Sequence, residues 1–224
     1  MIQVDMLSKT YRLGQVDVPA LRGIDLKVNA GEFVALAGPS GSGKSTLLNI
    51  VGAIERPTSG RVAIDGSDLG LLTSNQLADL RAERLGFVFQ TFNLLPVLTV
   101  FENVEYPLLR RRIPVAERAK RVRAILEEVG LEALSDHRPA QLSGGQRQRV
   151  AIARSLVGNP SIVLADEPTA NLDHQTGLEI LDLMKRLNQK MSVTLLFATH
   201  DSKIMQLADR VVELEDGQVV RRPR

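Results

Sequence analysis

Apolar and polar positions alternate along this chain with two different periods. The segments Glu32–Ala37, Leu85–Phe89, Ile162–Ala165 and Thr194–Ala198 are short and almost continuously apolar. Such runs predict strands of a parallel sheet covered on both faces. Ile2–Tyr11, Leu21–Val28 and Arg61–Ile64 mix apolar with polar positions and are joined by short turns with no helix between them. They predict an antiparallel layer beside the buried sheet. Val211–Leu214 and Gln218–Val220 flank Asp216-Gly217 and predict a hairpin.

The helical period appears elsewhere. A helix is expected from Ser74 to Arg84, and another from a Thr99 cap through Tyr106. Pro114 opens a longer one with Val122, Ile125, Leu126 and Val129 on one face, ended by Gly130. Val150, Ala153 and Val157 follow Ser143, and Ile180, Leu183, Met184 and Leu187 line a helix from His174 to Gln189. Ser202 is expected to cap a short helix, and the tail Arg221–Arg224 to fray. The organisation that follows is α/β: a core with its β layer over residues 1–90 and 158–224, and a helical lobe over 91–157 inserted into it.

Composition narrows the function classes. The 224 residues are 44% hydrophobic and 24% charged, with a net charge of +2. That is ordinary for a globular chain and gives no bulk-charge case for a nucleic-acid partner. There is no cysteine, so disulfides, thiolate metal sites and a cysteine nucleophile are excluded. No apolar run approaches the roughly 20 residues of a membrane span, and the N-terminus lacks signal-peptide blocks. A cytoplasmic location is expected; any membrane process would need a second chain to cross the bilayer.

The chemistry centres on Gly38-Pro39-Ser40-Gly41-Ser42-Gly43-Lys44-Ser45, which fits G-x-x-x-x-G-K-[ST] between a buried strand and the helix start Thr46–Val51. Glycines let the backbone N–H groups converge on an anion, and the helix N-terminus adds partial positive charge. Lys44 would reach the β- and γ-phosphates of ATP, and the Ser45 hydroxyl would ligate Mg²⁺. Asp166-Glu167 closes the apolar strand Ile162–Ala165. A carboxylate there is placed to hold the Mg²⁺, and Glu167 to polarise a water for attack on the γ-phosphate. Leu142-Ser143-Gly144-Gly145-Gln146 opens a second helix with bare glycine N–H groups, a second anion site or simply a capped, glycine-rich helix start.

Leu142–Gln146, together with Gly38–Ser45 and Ile162–Glu167, resembles the signature set of ABC-type ATPases, and the resemblance runs from about Ile2 to Gln218. Phe87–Pro96 and Arg147–Arg154 look most like the subgroup of LolD, MacB and FtsE. The resemblance implies a P-loop NTPase (RecA-like) core with an antiparallel β layer and an inserted helical lobe. It implies that two copies close head to tail on two ATP molecules, each site pairing Gly38–Thr46 of one copy with Ser143–Gln146 of the other.

By position, Tyr11 resembles the aromatic that stacks on adenine; on its own it would equally be a core aromatic. Gln90 resembles the residue that contacts Mg²⁺ and the attacking water. His200 resembles the residue on the γ-phosphate, although a lone histidine at a strand end is more often a packing residue. Ala170-Asn171-Leu172-Asp173 resembles the loop that crosses to the partner's site, with Asn171 where the family usually has a smaller residue. Ala165 stands where a bulkier apolar residue is usual. His137 and His174 match no catalytic position.

The implied use is to power an integral membrane subunit docked near Gln90 and the helical lobe, with Phe92, Leu94, Leu95 and Leu98 as the apolar wall. Export of lipoprotein, peptide or drug is the LolD/MacB-type expectation. An FtsE-like ATPase that signals without moving cargo is the alternative. An ABC protein acting on DNA or ribosomes would carry a coiled-coil insertion or a second fused unit, absent here. Leu142–Gln146 argues against a small-molecule kinase or GTPase.

Overall fold

A computed structural model describes residues 1–201 and 205–220; the expected Ser202 cap and the 221–224 tail lie outside them. Two sheets and six α-helices make up the described residues. The first sheet is antiparallel, β2-β1-β4-β5 in spatial order, from β1 (Ile2–Leu13), β2 (Val16–Val28), β4 (Ser59–Ile64) and β5 (Ser67–Asp68). The second has the order β10-β9-β3-β8-β7-β6, from β3 (Phe33–Ala37), β6 (Leu85–Val88), β7 (Ile162–Asp166), β8 (Thr194–Thr199), β9 (Arg210–Glu215) and β10 (Gln218–Val220). Its strands are parallel except for the antiparallel β9–β10 hairpin.

The apolar runs are continuous because both faces of this sheet are covered, and the two-residue period sorts each strand between them. Val34, Leu36, Ile162, Leu164, Leu196 and Ala198 face a cluster shared with the β layer and α1 (Lys44–Val51). Phe33, Ala35, Val163, Ala165, Leu195 and Phe197 face the other cluster, which takes in the helices.

Those helices are α2 (Ser74–Arg84), α3 (Val100–Glu105), α4 (Val115–Glu128), α5 (Gly144–Leu156) and α6 (His174–Met191). Thr73, Thr99 and Ser143 close α2, α3 and α5 with reciprocal capping boxes. Gly130, at φ 71°, follows α4. Val122, Ile125 and Leu126 of α4 lie in the same apolar cluster as Phe33 and Phe197, so segment 91–157 and the second face of the sheet bury one continuous core. Truncating one of these, Leu126→Ala, would cost about 2–5 kcal/mol.

Strand β2 begins five residues earlier than its alternation suggests, at Val16, because it pairs with the polar half of β1 (Leu13↔Val16 through Thr10↔Pro19). The pairing, not the burial, sets that boundary. The parallel register brings the ends of β3, β7 and β8 level: Ala37 lies opposite Thr199, and Asp166 opposite Ala198. The loops after these three strands carry the candidate chemistry.

Candidate functional site

The loop after β3 is shaped by close approach. Gly38 has φ 147°, and a Cβ there would sit 2.1 Å from the Leu214 carbonyl oxygen of β9. Gly43, at φ 102°, would meet the Ala20 carbonyl oxygen at 2.7 Å. No side chain would fit at either position. Gly43 is also the N-cap of α1 and offers no side-chain acceptor, so the first amides of that helix stay open to an anion.

Pro39, Ser40 and Gly41 are exposed, whereas Ser42 and Lys44 are buried. Lys44 is only 5% exposed, and its Nζ donates to the Gly38 and Pro39 carbonyl oxygens, each at 2.8 Å. The ammonium is thereby held over the loop it would serve. Ser42 Oγ is buried without a partner in the protein.

At the end of β7, Ser45 Oγ donates to Asp166 Oδ1 at 3.0 Å. Burial raises the Asp166 carboxyl above the usual range, and the neighbouring Glu167 charge adds to this; the Ser45 hydroxyl and Lys44 pull the other way. Glu167 occupies the left-handed region at φ 45°, which costs a non-glycine residue roughly 1–2 kcal/mol. His200 follows β8, and its Nδ1 lies 3.3 Å from Glu167 Oε1. Glu167, Asp173, Thr199 and His200 line a cleft of about 230 Å³. Lys44, Ser45, Asp166, Glu167 and His200 thus form one cluster drawn from three strand ends.

The second glycine-rich helix start lies elsewhere. Ser143 Oγ accepts from Gln146 N at 3.2 Å, and Gln146 Oε1 accepts from Ser143 N at 2.8 Å. A Cβ on Gly145 would come 2.7 Å from Thr176 Cγ2, and one on Gly144 3.1 Å from Leu172 Cδ2. Thr176 therefore favours glycine at 145, while Leu172 crowds 144 less closely. Asp173 caps α6 by accepting from Thr176 N at 3.0 Å. Asn171 Nδ2 donates to the Gln90 carbonyl oxygen at 2.9 Å, and Gln90 itself is exposed. Among the described residues, no hydrogen bond or ion pair joins 143–146 to 38–46.

Tyr11 donates its hydroxyl to Glu55 Oε2 at 2.7 Å and lies 3.5 Å from Thr46 Oγ1. Lys9 Nζ sits 5.0 Å from the centre of its ring. Glu55 escapes sequence reading because it lies in a turn with no motif. Burial alone would raise its carboxyl, but Tyr11, Asn49 and Lys9 hold it below the usual range.

Two further residues shape the 91–99 loop. Buried Asn103 bonds Leu95 N and the carbonyl oxygens of Leu95, Leu98 and Thr99. Arg154 donates to the carbonyl oxygens of Phe92 and Asn93. Of the expected apolar wall, Leu94 packs into the core, Phe92 lies under Arg147 at 5.3 Å, and Leu98 is half-buried. Leu95 is 38% exposed, and Val97, which the sequence reading passed over, is 73% exposed.

Residues 21–170 match the family described as ABC transporter. Over 98% of its length the chain is 51% identical to a macrolide export ATP-binding/permease protein MacB of Syntrophobacter fumaroxidans, of which it spans 31%. It is 46% identical to an uncharacterised ABC transporter ATP-binding protein, MJ0796, of Methanocaldococcus jannaschii, covering 99% of this chain and 96% of that one. The dimeric structure of MJ0796 in a post-hydrolysis state with ADP and Pi superposes with a TM-score of 0.90 at 45% identity, over 99% of this chain and 97% of that one. The phosphate-loop core, the antiparallel layer and the helical elements are those of an ATP-binding cassette. The chain belongs to the ABC transporter family, as its ATP-binding and ATP-hydrolysing part.

Proposed function

We propose that two copies of this chain close head to tail around two ATP molecules, and that closure and hydrolysis drive a separate integral membrane subunit. The observation that carries this reading is the separation of the two anion-binding helix starts. Gly38–Thr46 is built into a cluster with Asp166, Glu167 and His200, while Ser143–Gln146 makes no hydrogen bond or ion pair with residues 38–46 among the described residues. Each half is short of donors by itself, and a second copy supplies them. The dimeric MJ0796 structures support the same arrangement.

In this reading the α1 amides and Lys44 bind the phosphates, Tyr11 receives the adenine, and His200 and the partner's Ser143–Gln146 turn hold the γ-phosphate. Glu167 orients the attacking water and accepts its proton, and Gln90 reaches the same water. Asp173 approaches the partner's nucleotide. Ser45 Oγ and Asp166 Oδ1 converge as two oxygen donors, with Gln90 a third, a set that suits Mg²⁺. Among the described residues no group of three or more His, Cys, Asp or Glu is placed to hold a metal alone, so phosphate oxygens and water would complete the shell. Bound there, the ion would neutralise charge on the β- and γ-phosphate oxygens.

The work is passed to a permease on the cytoplasmic face of the membrane. No helix among the described residues is long and apolar enough to cross a bilayer. The MacB relative, about three times as long, is named as macrolide export ATP-binding and permease protein in one, which supports a membrane partner and export; lipoprotein, peptide or drug is the cargo class we propose. The wall that docks it is exposed Leu95 and Val97, in the loop that follows Gln90. Leu95→Asp is expected to abolish co-purification with the membrane subunit; retained co-purification rules out this wall. The hydrolytic assignment is tested by phosphate release from Mg²⁺-ATP. Glu167→Gln should lower the rate by about 10²–10³-fold with ATP binding intact, and a rate above a tenth of wild type would dismiss Glu167 as the group that activates water.

A further inference from the structure

Helix α5 carries a polar side chain in the middle of its buried face. Gln148 is 0% exposed, one turn before the buried Ala151 and Ile152. Its Nε2 donates to the Pro168 carbonyl oxygen at 2.6 Å. Its Oε1 is buried with no partner in the protein. An unpaired buried acceptor is a cost that a methionine of similar volume would not carry, so packing does not account for this residue.

What the bond reaches does account for it. Pro168 follows Glu167, which stands in the left-handed region at φ 45° with its carboxylate 3.3 Å from His200. Holding the 168 carbonyl holds the backbone that aims the Glu167 side chain. Gly144 against Leu172 and Gly145 against Thr176 tie the same two segments together one turn earlier.

We infer that Gln148 is a positioning residue that passes closure at one nucleotide to Glu167 at the other. The inference rests on the head-to-tail dimer proposed above. In that dimer, Ser143–Gln146 of a chain serves the partner's nucleotide, while Glu167 of the same chain serves its own. Filling of the far site moves α5, and the Gln148 bond, beside the packing of Gly144 and Gly145, carries that movement to the Glu167 backbone. The two sites are thereby coupled inside each chain.

Gln148→Met keeps the volume and removes the donor. At saturating ATP, where the dimer is formed, Gln148→Met should lower kcat about tenfold or more. Its melting temperature, ATP affinity as a monomer and ATP-driven dimer in the Glu167→Gln background should be unchanged. In Gln148→Glu a protonated carboxyl can donate to Pro168, and burial favours the protonated form, so its kcat relative to wild type should rise from pH 8 to pH 6.

Unchanged kcat in Gln148→Met, with an ATP-driven dimer in the Glu167→Gln background, would overturn this inference alone. A Glu167→Gln chain that does not dimerise with ATP would overturn it together with the reading beneath it. If Gln148→Met does not fold, Gln148→Glu decides: a ratio to wild type that is flat in pH overturns the inference.

Discussion

The two glycine-rich helix starts of this chain look alike in sequence and differ in what surrounds them. At Gly38–Ser45 the glycines are forced by neighbouring strands: β9 crowds Gly38 and β2 crowds Gly43. The loop is rigidly framed and its helix has no side-chain cap. At Ser143–Gln146 Thr176 crowds Gly145 and Leu172 crowds Gly144 less closely, and a complete capping box closes the turn. The first region gathers its lysine, hydroxyl, two carboxylates and histidine from one chain. Among the described residues, Ser143–Gln146 makes no hydrogen bond or ion pair with residues 38–46. An anion-binding geometry gains a charged cluster only where the sheet brings one to it, and the dimer proposed above would make the second start half of a site.

Substitutions on the two sides separate these roles. Lys44→Ala should remove ATP binding by the monomer and lower kcat/KM by about 10²–10³-fold. Ser143→Asp keeps a capping oxygen but puts negative charge where a γ-phosphate would arrive. It should fold normally and bind ATP as a monomer within about twofold of wild type, yet lose about 10²-fold in hydrolysis. Loss of monomer ATP binding in Ser143→Asp, read by nucleotide titration, would place both helix starts in one site and end the contrast.

Far from both starts, a smaller effect checks that pH acts on the scaffold separately from the chemistry. Asp209 accepts from Phe33 N at 2.9 Å and from Lys185 Nζ at 2.5 Å. Burial alone would raise its carboxyl, but these donors hold it below the usual range. A depressed folded-state value means stability that is present above the unfolded value and lost as pH falls through the folded one. Asp209→Asn should therefore lower the melting temperature by about 1–3 °C at pH 7, as befits a half-exposed pair. The gap should begin to narrow below about pH 4 and vanish once the pH is under the depressed folded-state value; a gap that does not shrink along that descent would deny the carboxylate its role.

The sequence disclosed these regions unequally. Continuous apolar runs revealed β3, β7 and β8 because burial on both faces leaves no room for polar residues, and a strand end beside a glycine-rich loop pointed to Asp166 and Glu167, whereas His200 was marked only by the family resemblance. The sorting of those runs onto two separate cores was not legible, since an unbroken run has no polar face to mark orientation. Nor were Glu55 under Tyr11, Asn103 behind Leu95, or Gln148 behind Pro168. Each acts through a backbone atom or a hydroxyl distant in sequence, and such a bond leaves no period, spacing or motif. The overlooked Val97 has the opposite cause: an apolar loop discloses its composition but not which residues turn outward.

In the proposed dimer, one copy's phosphate loop is completed by the other copy's Ser143 turn. Light scattering on Glu167→Gln, with and without ATP, is the decisive measurement, read against the same chain carrying Ser143→Asp as well. Glu167→Gln should have twice the 24.6 kDa chain mass with ATP only, and the monomer mass in every other case. A monomer at saturating ATP, or a dimer that survives Ser143→Asp, would contradict it.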